Sequence, residues 1–234
     1  LTGHSGSGKT CLAEGMLYCT GALNRLGRTE EGTTVSDFDP EEIERRISLR
    51  TSLLMPEWDS HHFNVLDTPG YADFAGEVQS GLRVADGSIV VVESVSGVDV
   101  GTERAWRNAE DCRLPRVIFV NKMDRPDIDL DSVMEQIRER FGRQAVPLQH
   151  PLNHGEGFSE IIDIVKMKLF SYTDGKTSET DISSAHETAV QQLREQLVEA
   201  VAESDEALME KYFEEGELDQ EELEEGLRKA VLNL

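Results

Sequence analysis

Gly3-His4-Ser5-Gly6-Ser7-Gly8-Lys9-Thr10 fits the pattern of a glycine, four intervening residues, a second glycine, then Lys and Ser or Thr. Phosphate oxygens need a ring of backbone N–H groups that approach closely, which only small and flexible residues permit. A helix expected over 9–20 adds its positive end to that ring. In such a loop Lys9 neutralises the β- and γ-phosphates of a nucleotide, and the Thr10 hydroxyl ligates Mg²⁺. The residue types of the loop therefore call for a strand before it and a helix after it.

Outward from this loop, residues 1–148 alternate short apolar runs with helical patterns, which predicts βαβ units. Strands are expected over 52–55, 63–66, 88–92 and 117–120, and helices over 75–84, 102–112 and 131–141. The runs 89–92 and 117–120 are apolar throughout, as strands covered on both faces should be. Periodicity fades over 27–48, which reads as a long mobile loop. The fold class expected is α/β, a P-loop NTPase-type doubly wound, mostly parallel sheet over 1–150, with a smaller inserted α+β subdomain over 151–234. Within the insertion, 161–170 reads as a turn of helix running into a strand, and 172–184 as a hairpin or loop. Helices follow over 185–202, 206–213 and 220–231, the last with Asp219 and Glu222 spaced as a capping box.

Two further motifs assign the ligand. Asp67-Thr68-Pro69-Gly70 ends an expected strand; alone it is equally a β-turn, but downstream of the first motif it places a carboxylate beside a Mg²⁺-bound water. Gly70 can then offer its N–H to the γ-phosphate, so the loop acts as a switch released on hydrolysis. Asn121-Lys122-Met123-Asp124 follows the strand ending at Val120. Guanine presents N1–H and a 2-amino group side by side, which one carboxylate accepts and adenine cannot offer. Asp124 takes that role, Asn121 helps bind the base and ties loops together, and Lys122 packs over the ring. Three motifs in this order predict a GTP/GDP site with Mg²⁺.

With the stretch Gly70-Tyr71-Ala72-Asp73-Phe74, these motifs resemble the translational GTPases. The segment 161–168 (IIDIVKMK) is similar to part of the extra subdomain of elongation factor G. The segments 31–34 (EGTT) and 100–106 (VGTERAW) resemble the elongation factor G-like branch. The resemblance implies a GTPase stimulated by the ribosome, with ribosomal RNA and stalk proteins as partners met largely through further domains, and a monomeric, cytoplasmic protein. It also implies that Ser48, in Glu44-Arg45-Arg46-Ile47-Ser48-Leu49, stands where the family uses Thr as a Mg²⁺ ligand. Arg46 replaces a glycine of that switch, and Tyr71 replaces the histidine held to orient the attacking water. Tyr71, Gly70 and Lys9 are thus the residues expected to carry hydrolysis. Relative to the family, most of the first strand and the loop that seals the guanine after Leu234 are expected to be missing. Two other functions share these motifs: a ribosomal protection or peptide-release GTPase, and a ribosome-bound regulator that turns GTP over slowly because Tyr71 substitutes for histidine.

Composition narrows the partners. The formal net charge is −23, which opposes nucleic-acid binding over an even surface because such contacts need Lys and Arg. The acid is concentrated: eleven carboxylates lie between Asp205 and Glu225 against Lys211, a solvated helical face or a surface for the stalk proteins. No apolar run approaches the roughly 20 residues of a membrane span, and no signal peptide is expected, because the chain opens at Leu1-Thr2-Gly3 already inside a motif. Cys11, Cys19 and Cys112 have no paired spacing; Cys11 and Cys19 are expected near the core, and Trp58 and Trp106 as packing residues.

Overall fold

The computed structural model describes residues 1–173 and 175–232. Asp174, in the stretch read as a hairpin or loop, and Asn233 and Leu234, at the end of the subdomain expected over 151–234, lie outside the described residues. The chain divides into two compact units, Leu1–Lys122 and a second that begins at Met123.

The first unit starts with β1 (Thr2–Gly3), which turns through the glycine-rich loop into α1 (Lys9–Cys19). There follow α2 (Pro40–Arg45), β2 (Ser52–Leu54), a small hairpin of β3 (Glu57–Trp58) and β4 (His61–His62), and β5 (Val65–Asp67). After these come α3 (Ala75–Leu82), β6 (Ser88–Glu93), α4 (Val100–Asp111) and β7 (Arg116–Asn121). Strand β6 pairs in parallel with β1 (Thr2↔Val90, Gly3↔Val91) and with β7 from Ser88↔Arg116 to Glu93↔Asn121. On the other side of β1, the Leu1 nitrogen donates to the Leu66 carbonyl at 2.7 Å and the Thr68 N–H to the Leu1 carbonyl at 3.4 Å, which ties in β5. Strand β2 runs antiparallel to β5 as an edge. The expected α/β class with a mostly parallel sheet is what the chain forms.

Val90, Val91 and Val92 are fully buried, each stabilising the sheet by about 1.5–3 kcal/mol. The same expectation of two covered faces fails for β7, where Val117 and Phe119 are 43% and 38% exposed. These alternate residues share one face, and that face is left partly open. Trp58 is 61% exposed at the β3–β4 hairpin rather than packed, and Cys11 and Cys19 are exposed. Trp106 does pack, with the Arg116 guanidinium 4.5 Å from the centre of its ring.

The stretch 27–48 is not a featureless loop. It holds a 3-10 turn (Thr29–Glu31) and α2, whose first turn is closed by a capping box between Asp39 and Glu42. Helix α2 ends on Arg46, which adopts a left-handed conformation at φ 56°. A side chain there crowds the following carbonyl, whereas glycine does not. Arg46→Gly is therefore expected to stabilise the protein by about 1 kcal/mol, raising the melting temperature by roughly 2–4 °C. A lower melting temperature would show that the arginine side chain holds the switch by contacts that outweigh its strain.

The second unit holds α5 (Leu130–Phe141), a sheet in the order β11-β10-β9-β8, and three helices. The strands are β8 (Gln149–Pro151), β9 (Glu160–Asp163), β10 (Lys168–Thr173) and β11 (Lys176–Asp181), all antiparallel. The stretch 161–170, expected to open as a turn of helix, is instead two paired strands joined at a turn where Met167 takes φ 54°. A short apolar run cannot distinguish helix from strand by period alone. Helices α6 (Ser184–Ala202), α7 (Glu206–Glu215) and α8 (Gln220–Leu232) close a core of Ile164, Leu197, Val198, Val201, Leu218 and Leu223. The capping box expected before α8 is present: Glu222 N–H donates to Asp219 at 2.9 Å and Asp219 N–H to Glu222 at 3.0 Å.

Candidate functional site

Every motif of the first unit lies at the carboxyl end of a parallel strand, where open α/β sheets hold ligands. The glycine-rich loop follows β1, Asp67 ends β5, Glu93 ends β6 and Asn121 ends β7. Parallel pairing brings these ends to one edge although 118 positions separate Gly3 from Asn121.

Within the loop, Gly6 and Gly8 take φ 80° and 92°, conformations that side chains rarely adopt. A Cβ on Gly8 would sit 2.3 Å from Asn121 Nδ2, so the loop and the β7 end are in close contact. That contact is a hydrogen bond: Asn121 Nδ2 donates to the Ser7 carbonyl at 2.9 Å, the loop-tying role expected of it. Gly8 precedes α1 directly and no side chain caps the helix, so the N–H groups of its first turn remain for a ligand. Ser7 is buried with its hydroxyl unbonded, while His4 at the outer side pairs with Asp99 at 3.4 Å. Asp99 in turn caps α4 by accepting from Thr102 N–H at 2.8 Å.

Lys9 is 6% exposed and its ammonium donates to the Gly3 and His4 carbonyls at 3.2 and 2.8 Å. Burial pulls its pKa from 10.5 down to about 8, against the carboxylates of Asp67, Asp99 and Asp37, which pull it up. Gly70 lies against the same place: a Cβ there would be 2.6 Å from Ser5 Cα and 2.7 Å from Lys9 Nζ. Its approach to the loop backbone explains why this position is a glycine. Thr68 fixes the start of this segment by donating its hydroxyl to the Leu1 carbonyl at 2.7 Å, and Pro69 is buried beside it. Tyr71, next in line, is 43% exposed and begins a short 3-10 turn.

The hydroxyls of Thr10 and Ser48 lie 3.3 Å apart although 38 residues separate them. Beside Thr10 stands Asp67, 1% exposed, and beside Ser48 stands Asp37, 4% exposed, with none of their four carboxylate oxygens closing a hydrogen bond. Thr10 and Ser36 come near enough to favour the Asp67 anion, and Ser48 that of Asp37, without reaching bonding geometry. Burial pushes both carboxyls up, and the charges of Asp67, Glu42 and Glu14 raise Asp37 further. Two buried, unsatisfied carboxylates beside two hydroxyls form an all-oxygen donor set, which suits a hard cation that neutralises them.

Lys122 adopts φ 61°, its carbonyl accepts from the Ser94 hydroxyl at 2.8 Å, and its ammonium meets Glu93 at 2.6 Å. In the second unit, Met123 is buried and its carbonyl accepts from Gly155 N–H at 2.7 Å, while Asp124 is exposed. Reading motifs missed Asp37, Glu93 and Arg104. Arg104, on α4, donates to the Gly70 carbonyl at 3.3 Å. Asp37 and Glu93 are single charged residues among many with no local spacing to mark them, and Arg104 lies within the segment 100–106 without any signal of its own contact to Gly70.

The profile of the elongation factor Tu GTP-binding domain matches residues 1–205. The crystal structure of a Thermus thermophilus protein superposes with a TM-score of 0.91 at 39% sequence identity, over 99% of this chain. The chain spans 35% of the length of that protein. Among the described residues, no helix is long and apolar enough to cross a membrane. A glycine loop tied to Asn121, a Gly70 segment pressed on that loop and a profile match over most of the chain agree, and the chain belongs to the elongation factor Tu GTP-binding domain family, the GTPase domain of translation factors.

Proposed function

We propose that this chain binds GTP and GDP with Mg²⁺ and hydrolyses GTP as the nucleotide domain of an elongation factor G-like translation factor that works on the ribosome as a monomer. The observation that carries this reading is the approach of Gly70 to Ser5 and Lys9, because it brings a switch segment to the place where a γ-phosphate would lie. The N–H groups from Gly3 to Thr10 receive the phosphate oxygens. Lys9 exchanges its two carbonyl partners for the β- and γ-phosphates, a stronger charge-assisted pairing. Thr10, Ser48 and, through water, Asp67 fit Mg²⁺, with Asp37 as a further acceptor; the ion would supply neutralisation of the β- and γ-oxygens. Glu93 draws the Lys122 ammonium aside, leaving the alkyl stem to cover the base, and Asp124 is assigned guanine's N1–H and 2-amino group.

Tyr71 is assigned the attacking water. A tyrosine hydroxyl stays neutral near pH 7 and can hydrogen-bond a water, whereas histidine can also carry charge toward the developing negative centre. Tyr71→His is expected to raise the single-turnover rate on ribosomes several-fold at saturating GTP, with nucleotide affinity unchanged, because the gain belongs to the transition state. A variant no faster than wild type shows that this position does not limit turnover. The reading as a whole is tested by nucleotide titration and multiple-turnover GTP hydrolysis with and without ribosomes. Ribosome-stimulated turnover supports an elongation-type GTPase. Tight GTP binding with negligible turnover on ribosomes favours the slow regulator, and no preference for guanine nucleotides overturns the proposal.

A further inference from the structure

Glu42 lies on α2 and is 2% exposed, one of the least accessible acidic residues of the protein. Its carboxylate takes three backbone N–H groups. Oε1 accepts from Leu49 at 2.8 Å and from Arg50 at 3.1 Å, and Oε2 accepts from Asp39 at 3.2 Å. The last bond closes the N-terminus of α2; the first two hold the residues that immediately follow Ser48. Ser48 has its hydroxyl 3.3 Å from that of Thr10, and Arg46, two residues before it, caps α2 in a left-handed conformation. Nothing in the sequence between Arg46 and Ser48 would fix that hydroxyl by itself. The chain after it is fastened too: Thr51 N–H donates to Glu77 of α3 at 2.9 Å.

Resting on the reading of Ser48 as a Mg²⁺ ligand, we infer that Glu42 is the positioning residue that aims the Ser48 hydroxyl at the cation site. A buried carboxylate with three N–H donors is geometrically determined, because each oxygen is bound from a fixed direction. Helix α2 then acts as a rigid arm: its N-terminus is closed by the same side chain that tethers Leu49 and Arg50 at its far end. The hydroxyl is oriented in advance, so the cation does not have to order the segment when it binds, and affinity is gained by that pre-organisation. Glutamine at this position can keep the bonds to Leu49 and Arg50 through its single oxygen. Its NH₂ group would then face the Asp39 N–H, donor against donor, so the arm is weakened only at its start.

The test uses the 234-residue chain, a non-hydrolysable GTP analogue and Mg²⁺ titrated against chelator. Wild type should bind the analogue more tightly as Mg²⁺ rises. In Glu42→Ala the Mg²⁺ concentration for half of that effect should increase by about tenfold or more, the usual scale for removing a partner that orients a metal ligand. Affinity for the analogue in chelator alone should be unchanged, which a general loss of structure would not allow. Glu42→Gln should fall between the two. Adding Glu42→Ala to Ser48→Ala should cost no further Mg²⁺ affinity, because the effect passes through the one hydroxyl. Hydrogen exchange without nucleotide should speed up at Leu49 and Arg50 in Glu42→Ala, and this readout needs no bound ion. A Glu42→Ala protein with the Mg²⁺ dependence of wild type, or full additivity with Ser48→Ala, overturns the inference while leaving the GTP reading intact. Wild-type binding that ignores Mg²⁺ overturns both.

Discussion

Lys9→Ala is expected to weaken GTP binding by at least about 2–3 kcal/mol, roughly 30- to 150-fold, the scale of a lost charge-assisted contact. Lys9 is the strong point charge that the glycine-rich loop offers to terminal phosphates, and the carbonyls of Gly3 and His4 hold its ammonium at the loop. Backbone N–H groups carry partial charges and cannot replace it. The same burial that aims the ammonium makes it costly when no phosphate is present, which is why its pKa drops to about 8. The nucleotide-free variant should be melted beside wild type, so that lost binding is not mistaken for lost folding. A fluorescent-nucleotide titration reads the first effect and thermal melting the second. Equal affinity in both proteins would mean that the loop does not hold phosphates.

Asp124→Asn should reverse base preference. Guanine's N1–H and 2-amino group would pair with the two carboxylate oxygens in charge-assisted bonds of about 1.5–3 kcal/mol each, so losing the pair costs at least about 3 kcal/mol, or roughly 150-fold in GTP affinity. The carboxamide offers one acceptor and one donor, which suits the N1–H and 2-oxo edge of xanthine. Xanthosine triphosphate should accordingly bind the variant more tightly than GTP does. The substitution is nearly isosteric and Asp124 is exposed, while the neighbouring Met123 carbonyl is independently held by Gly155, so the fold should tolerate it. Titrating both nucleotides into both proteins decides the matter. An unchanged preference for GTP would remove Asp124 from the base site.

The motifs that contain these two residues can be read because their signals are local. Gly6, Gly8 and Lys9 declare a phosphate loop through backbone freedom and charge at fixed spacing, and Asp67, Gly70 and Asn121 sit at or just beyond strand ends marked by apolar runs. The same local signals announce the parallel sheet through the valines of β6, and the capping box of α8 through Asp219 and Glu222. Where the signal is period alone it fails. The run 161–170 is too short to tell a helix from the β9–β10 hairpin, and the apolar run of β7 does not reveal that Val117 and Phe119 keep an open face.

The α/β class, the phosphate loop and the order of the three motifs can all be read along the chain, since each follows from φ freedom, charge or apolar period within a few neighbouring residues. The order within 27–48 emerges only once the chain is folded. That segment lacks a hydrophobic period because it is held by buried carboxylates that accept backbone N–H groups: Glu14 takes Gly27 and Val35, and Glu42 takes Asp39, Leu49 and Arg50. Along the chain these are 2 of 46 acidic residues with nothing to set them apart. Backbone N–H donors carry no residue identity, so which carboxylate they meet is written in the path of the chain through space rather than in the spacing of its side chains.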